Sequence, residues 1–354
     1  MSLDSNARVL IAISGGVDSA LTGSLLKAQG YDCHGVYMIT CDQGLSELPQ
    51  AERVAKALDI PLHTLDLRRL FADVILNYFL NEYKQARTPN PCVFCNKIVK
   101  FGKLWEFAKT LNCQHMATGH YACSKHFEDG PGICEADNKA KDQSYVLSLI
   151  NREVVEHILL PMAQFTKEQT KEQATRFRLG LEHKKESQEI CFIPNDDYIT
   201  LLEQHCPELV VEGLIVDSSG KQLGTHRGIH RFTIGQRRGL GVAMGIPYYV
   251  THLDANTNTV ILGPKDEVLG QTLKARNVNW LIAAPTMPFN AKVKIRYNDR
   301  GSWARVTPQG DGVSVHFERP ALAITPGQAV VFYTKEPANA RVLGGAWIDS
   351  VECH

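Results

Sequence analysis

RVLIAISGGVDS, residues 8–19, sets an apolar run against a glycine-rich turn, and its reading decides the fold. Residues 8–13 read as a buried strand, and SGGVDS then turns the chain into a helix expected over 20–29. Paired glycines let the backbone approach a ligand closely, and the N–H groups at a helix start favour anions. Ser14 and Ser19 add hydroxyl donors for phosphate, and Asp18 either helps to hold Mg²⁺ or caps the helix. No Gly-Lys-Ser/Thr follows, so this is not a Walker A loop. A glycine-rich strand-to-helix turn is common, and the pattern alone leaves phosphate binding and a plain turn both open.

Working outward, CHGVYMI (33–39), PLHTLDL (61–67) and HMATGHY (115–121) read as further strands. Helices are expected at about 49–58, 69–85 and 96–111, and a charged one at 166–179. This alternation predicts an α/β domain with a parallel sheet over residues 1–208. From about Val210 the chain becomes dense in glycine and basic residues, which marks a small central domain over 209–266. Short alternating strands such as AKVKIRY (291–297), VSVHFE (313–318) and AVVFYT (329–334) then predict a β-barrel or sandwich over 267–354.

The 354 residues carry 38 basic and 38 acidic side chains, so any nucleic-acid partner has to be recognised by local patches. His226, Arg227, His230, Arg231, Arg237 and Arg238 form one such cluster, and Lys97, Lys100 and Lys103 another. Either cluster alone reads as an ordinary solvated face; together they favour RNA. The chain shows no run of about 18 uninterrupted apolar residues, and MSLDSNARVLIAIS lacks the marks of a secretory signal. A cytoplasmic protein with no membrane partner is expected. Its ten cysteines should then be mostly reduced, and the close pair in RTPNPCVFCNKIVKFGKLWEF (87–107) suggests metal or sulfur chemistry. A helix is expected to begin straight after that pair, and most other cysteines read as small buried hydrophobes.

SGGVDS after a first strand resembles the pyrophosphate loop of the ATP-pyrophosphatases (the PP-loop superfamily), which cleave ATP to AMP and pyrophosphate. TPNPCVFCNKIVKF (88–101), ATGHYA (117–122), KDQSYVL (141–147) and KKESQEICFI (184–193) narrow the likeness to the tRNA-uridine 2-sulfurtransferases. GLIVDSSGKQLGTHRGIHRFTIGQRRGLGV (213–242), YYVTHLD (248–254), KIRY (294–297) and ITPGQAVVFY (324–333) extend it over almost the whole chain. The resemblance implies replacement of the C2 oxygen of a wobble uridine by sulfur, after adenylation of that oxygen by ATP with Mg²⁺. It implies ATP contacts at Ala12, Ile13, Ser14, Gly15, Gly16, Val17, Asp18, Ser19, Met38 and Gly119. It implies tRNA contacts, from the anticodon arm, at Asn90, Pro91, Cys92, Lys141, Asp142, Gln143, Arg296 and Tyr297. Met38 taken alone reads as core, Gly119 as a strand-end turn, Lys141–Gln143 as a polar helix start, and Arg296–Tyr297 as a solvated strand edge.

The same resemblance makes Cys191 the persulfide carrier and Cys95 its partner thiolate, with sulfur supplied by a persulfide carrier, a cysteine desulfurase or sulfide. The family usually has Asp where this chain has Cys92, and that departure adds a third thiol. Three readings stay open: Cys92, Cys95 and Cys191 hold a [4Fe–4S] cluster with one open iron; they work by persulfide exchange; or they hold zinc with His120 or water. Three converging thiolates repel one another unless a proton or a metal compensates. PMAQFTKEQ (161–169) also departs from the family text, and Cys41 and Cys353 read as incidental. Two other functions compete: an amide-forming ATP-pyrophosphatase acting on a small metabolite, and a silent RNA-binding protein with a relic nucleotide domain. Neither uses the three thiols.

Overall fold

The structure is a computed structural model and describes residues 7–177, 190–242, 245–336 and 339–352. Strand β1 (Arg8–Ala12) is its central feature, and Val9, Leu10 and Ile11 are completely buried. Successive side chains point to opposite faces. Leu10 packs with Val36, Val93, Phe101 and Leu104, whereas Val9 and Ile11 join Val17, Ala20, Ala51 and Val54 on the other face. That second layer is built by helices α1 (Val17–Ala28) and α2 (Gln43–Leu58).

β2 (Asp32–Ile39) and β3 (Leu62–Asp66) lie to one side of β1, and β4 (His115–Ala117) and β7 (Ile158–Leu159) to the other. The order β3–β2–β1–β4–β7 is parallel throughout. The chain leaves β1 in one direction and returns to its other side at β4, so a crevice opens at the carboxyl ends of these two strands. A hairpin, β5 (Cys123–Phe127) and β6 (Gly130–Cys134), leaves the sheet beyond β4.

The helices depart from expectation where local bonds outweigh proline signals. α2 begins at Gln43 rather than near 49 and carries Pro49 inside it; the Tyr37 hydroxyl donates to the Gly44 carbonyl at 2.8 Å and holds the first turn. The cysteine stretch is itself helical. Helix α3 (Pro91–Cys95) starts at Pro91, runs into a π-helical stretch Asn96–Lys103 and continues as α4 (Leu104–Thr110). Pro at the first helical position gives up only an N–H that has no intrahelical partner, and Asn90 caps the turn by accepting from Val93 N at 3.5 Å. The strand at 115–121 ends at Ala117. The charged helix is α5 (Lys167–Arg176), closed at its start by a reciprocal Thr166–Gln169 capping box. Its expected end at 179, the residues 184–189 and Cys353 lie outside the described residues.

Helix α6 (Tyr198–His205) leads to a mixed sheet, β8 (Gly213–Asp217), β9 (Gln222–His226), β10 (Tyr249–Asp254) and β11 (Thr259–Gly263), in the order β10–β11–β8–β9. A closed barrel follows: β12 (Leu269–Trp280), β13 (Phe289–Lys294), β14 (Ser302–Gln309), β15 (Gly312–Leu322), β16 (Ala329–Tyr333) and β17 (Val342–Glu352). Closure leaves no unpaired edge. Among the described residues no helix is long and apolar enough to cross a membrane.

The barrel is packed hard against the first domain. Ala329, Val331, Tyr333 and Val342 share one core with Leu10, Tyr145 and Leu147. Arg87 pairs with Glu82 at 2.9 Å and donates to the Ile348 carbonyl at 2.8 Å. The Tyr145 hydroxyl donates to the Ala329 carbonyl at 2.8 Å. Beneath these contacts, Lys294 of the barrel reaches two buried acids of the first domain, Glu135 at 2.9 Å and Asp142 at 3.3 Å. Burial works to raise the Glu135 carboxyl, but hydrogen bonds from Lys294 and Lys139 outweigh it and hold the group below the usual range.

Lys294→Met keeps the aliphatic stem and removes the charge from between two acids. A destabilisation of about 3 kcal/mol at neutral pH is expected in denaturant unfolding. A depressed carboxyl contributes stability that is lost as pH falls through its folded-state value. The gap between variant and parent should therefore narrow below about pH 4. A gap that is constant with pH would show that packing, not charge, carries the effect.

Candidate active site at the strand ends

The loop after β1 is organised by its own hydrogen bonds. Ser14 N lies 3.2 Å from Ser19 Oγ, the two hydroxyls are 3.2 Å apart, and Gly16 N is 3.3 Å from Ser14 Oγ. These bonds fold the turn back on the start of α1, where the N–H groups of a helix favour an anion. Gly15 has φ +72°, and a β-carbon there would stand 2.9 Å from Gln50 Cγ on α2. Only glycine suits both the dihedral and the space.

The second strand end closes on the same point. A β-carbon on Gly119 would lie 3.0 Å from the carbonyl carbon of Asp18 and 3.0 Å from Ser19 N. Two residues on, the Tyr121 hydroxyl donates to Asp18 Oδ1 at 2.7 Å, and Lys167 of α5 pairs with the same carboxylate at 3.1 Å. Asp18 therefore makes no side-chain cap to α1, and its charge is already matched by a cation. Gln143 accepts from Tyr121 N at 2.9 Å and its own N–H donates to the Tyr121 carbonyl at 2.7 Å. Asp142 beside it accepts from Ala136 N, Ser144 N and the Ser144 hydroxyl as well as from Lys294. Its carboxylate is buried and turned into the protein. Lys141 is half-buried on the same stretch.

The thiols gather around Lys100, which also lies within electrostatic reach of His120, the residue after Gly119. Cys92 and Cys95 are three residues apart on α3, with Cys95 buried and Cys92 exposed; Cys191 lies exposed on a turn beyond residue 190. Met38 of β2 packs into the core that holds Cys95, together with Phe71, Phe94 and Phe192, the neighbour of Cys191. Burial pushes the Cys95 thiol up to about 12; Lys100 pulls it back, and Cys191 and Cys92 push it further. Protein crowds Cys92 and Cys191 on the side away from solvent, and that burial raises both thiols against the pull of Lys100. Cys191 also feels Cys92 and Cys41. The three sequence-predicted cysteines thus share one electrostatic neighbourhood, and Cys41, read from sequence as incidental, stands at its margin.

Among the described residues no three His, Cys, Asp or Glu side chains are grouped so as to hold a metal ion. The thiols are near one another without forming a ligand set. His120 is buried, its Nδ1 is 2.7 Å from the Thr118 hydroxyl, and burial with Lys100 nearby keeps it neutral.

The residues assigned to tRNA divide into two kinds. Asn90 caps α3, its amide nitrogen is 3.5 Å from the Tyr145 hydroxyl, and Pro91 is buried. Arg296 directs its guanidinium to the carbonyls of Ile234 and Ala323 and to the Thr325 hydroxyl, joining the central sheet to the barrel. Its neighbour Tyr297 is exposed and meets the Tyr145 ring edge-on at 6.1 Å. The basic cluster after β9 divides similarly. His226 is buried with Nε2 3.1 Å from the Asn258 carbonyl, and His230 and Arg231 both engage Glu203. Arg227, Arg237 and Arg238 remain exposed. Sequence reading found the clusters and missed the roles of Tyr121, Lys167 and Lys294, for which single residues between motifs give no signal.

Residues 7–195 match the family model described as tRNA methyl transferase HUP domain, 199–264 the tRNA methyl transferase PRC-barrel domain, and 270–348 the aminomethyltransferase beta-barrel domain. The tRNA-specific 2-thiouridylase MnmA of Halothermothrix orenii is 42% identical over 341 residues, covering 92% of this chain and 95% of that protein. The protein of the same name from Syntrophotalea carbinolica is 40% identical over 353 residues, with 98% and 99% covered. That from Magnetococcus marinus is 41% identical over 356 residues, with 96% and 98% covered. The words methyl transferase and thiouridylase name different chemistry, and three thiols sharing one electrostatic neighbourhood accord with the second.

Lys100 is the cation that all three thiols feel. Lys100→Met should therefore slow iodoacetamide labelling of Cys92 and Cys191 several-fold at neutral pH, with the deficit shrinking as pH rises. Labelling rates that match the parent across the pH range would remove Lys100 from this role.

Proposed function

We propose, starting from the fact that this chain belongs to the tRNA-specific 2-thiouridylase family, how its residues divide the work of tRNA 2-thiolation. The protein is a sulfurtransferase that uses ATP and acts on tRNA. The observation that carries the detailed reading is the placement of Cys191 within electrostatic reach of Cys92 and Cys95.

Residues 12–19 hold ATP, with the hydroxyls of Ser14 and Ser19 and the N–H groups of Gly15, Gly16 and Val17 on its phosphates. Gly119 keeps the second wall of the crevice close, and Met38 floors it toward the thiols. Asp18 is the residue that would hold Mg²⁺ beside the phosphates, once it loosened from Lys167 and Tyr121, and the ion would supply positive charge there. The wobble uridine, single-stranded in the anticodon loop, is turned into the site at modest unstacking cost. Its C2 oxygen attacks the α-phosphorus of ATP and pyrophosphate leaves.

Sulfur then replaces the adenylated oxygen. The terminal sulfur of a Cys191 persulfide attacks C2 and AMP departs with the oxygen. Cys95 thiolate next attacks the Sγ of Cys191, the S–S bond to the transferred sulfur breaks, and 2-thiouridine leaves a Cys95–Cys191 disulfide. An external thiol reductant supplies two electrons to restore the pair, after which a persulfide carrier or a desulfurase passes its outer sulfur to the Cys191 thiolate; sulfide instead reloads Cys191 by attacking its sulfur in the Cys95–Cys191 disulfide, releasing Cys95 as thiolate. Arg227, Arg237, Arg238 and Tyr297 face the tRNA backbone and anticodon arm. Asn90, Pro91, Asp142, Gln143 and Arg296 act on tRNA through the surfaces they position, with Lys141 beside them. The cytoplasm, with its pool of tRNA and reduced thiols, suits this chemistry.

Adenylation needs no thiol in this scheme. Cys191→Ser should release pyrophosphate when uridine-containing tRNA is added and yet form no 2-thiouridine. Release driven by an amino acid or ammonia without tRNA would point instead to an amide-forming ligase.

Cys92 supports a second reading, because a third thiol beside Cys95 and Cys191 is what an iron–sulfur cluster with one open iron requires. As they stand the thiols are not gathered as ligands, so no step is assigned to a cluster. Anaerobically purified protein is expected to hold no iron, and Cys92→Asp to keep its activity. About four irons and four sulfides per chain with absorption near ~400 nm, lost in Cys92→Asp, would assign the three thiols to a cluster.

A further inference from the structure

Two cysteines outside the sulfur-transfer centre face each other across the hairpin. Cys123 and Cys134 are direct register partners on antiparallel β5 and β6. Such partners have Cα atoms about 4.5–5.5 Å apart, within the roughly 4.4–6.8 Å that a disulfide spans. Cys134 is completely buried with Sγ 3.4 Å from the Cys123 carbonyl oxygen, whereas Cys123 reaches partly into solvent. A hydrogen bond from Cys134 holds the Cys123 thiol below its ordinary range against the effect of burial, with Lys125 adding to the pull; Cys134 itself is raised. Cys92, Cys95 and Cys191 are all pushed the other way. An accessible thiol backed by a buried one is the arrangement in which a first sulfur reacts and a second resolves it.

We propose that Cys123 and Cys134 form a peroxide-oxidisable pair, Cys123 attacking and Cys134 resolving, separate from the sulfur-transfer centre. Cys123 thiolate attacks one oxygen of hydrogen peroxide, the O–O bond breaks, and the departing hydroxide takes a proton to leave as water. The sulfenic acid so formed is then attacked at sulfur by Cys134, which gives up its proton as the S–O bond breaks and a second water leaves. Two thiols lose two electrons, and the peroxide is reduced to two waters. Because Cys134 meets Cys123 inside the hairpin, the second step needs no opening of the fold. The disulfide ties the strand that follows Tyr121 to the strand that leads into Glu135, so it stiffens the span between the phosphate-loop contact and the Lys294 clamp.

The test uses reduced full-length protein treated with a single equivalent of hydrogen peroxide, quenched with an alkylating agent and mapped by mass spectrometry. The expected result is a protein lighter by two hydrogens, a cross-linked peptide pair containing Cys123 and Cys134, and Cys92, Cys95 and Cys191 still alkylated. Cys134→Ser should leave a sulfenic acid at Cys123 that dimedone traps. Cys123→Ser should leave Cys134 reduced and tRNA thiolation unchanged. Oxidation of Cys92, Cys95 or Cys191 ahead of the hairpin pair in a time course on the parent protein overturns the proposal, whatever the variants do. So does an undiminished loss of thiols in Cys123→Ser.

Discussion

Backbone meets backbone where Gly119 lies against the first turn of α1, and the rest of the site is arranged around that contact. With a β-carbon fixed only 3.0 Å from two backbone atoms, any larger residue would push the β4 end away from the glycine loop. The closeness follows from the sheet order. β1 and β4 are hydrogen-bonded neighbours, and the chain leaves them on opposite errands, so both strand ends are free to contribute loops to one crevice. Once Gly119 is seated, Tyr121 reaches Asp18 and Gln143 is bonded to Tyr121 in both directions. The loop is then braced by residues from four separate stretches of chain.

Buried charge does a different job here from exposed charge. Lys294, Arg87 and Arg296 each join two domains, and each is bound to protein acids or carbonyls. A cation so engaged contributes to the joint and has little field left for a polyanion. His226, His230 and Arg231 follow the same rule within the central sheet domain. Arg227, Arg237 and Arg238 stay exposed, and they are the cations that the proposed reading turns toward tRNA. Exposed phosphate contacts of this kind should be sensitive to salt, whereas the domain joints should not.

The thiols are held in tension. Burial disfavours their charged forms, Cys92 and Cys191 push Cys95 further up, Cys92 also raises Cys191, and Lys100 is the opposing cation. Such a centre keeps its sulfur protonated until something supplies compensating charge, whether a proton acceptor, an electrophile or a metal. The hairpin pair has the opposite bias, since there a neighbouring thiol donates to Cys123. Chemistry of one element is thereby separated within one domain by local hydrogen bonding.

The sequence by itself determined the order of domains, the buried first strand, the glycine-rich turn after it and the presence of three thiols that the fold brings near one another. Each is written in contiguous residues whose spacing has a local physical meaning. It misplaced the start of α3, because Pro-Asn-Pro reads as a break while Asn90 caps the helix and Pro91 begins it. It could not sort the basic residues, since Arg231 and Arg237 look alike until Glu203 is found beside one of them. Nor could it show that Asp142 faces Lys294, that Cys123 faces Cys134, or that Lys100 lies within electrostatic reach of the thiols. Those facts belong to pairs far apart in the chain or across a turn. Burial, pairing and titration depend on what lies opposite a side chain, and only the tertiary structure decides that.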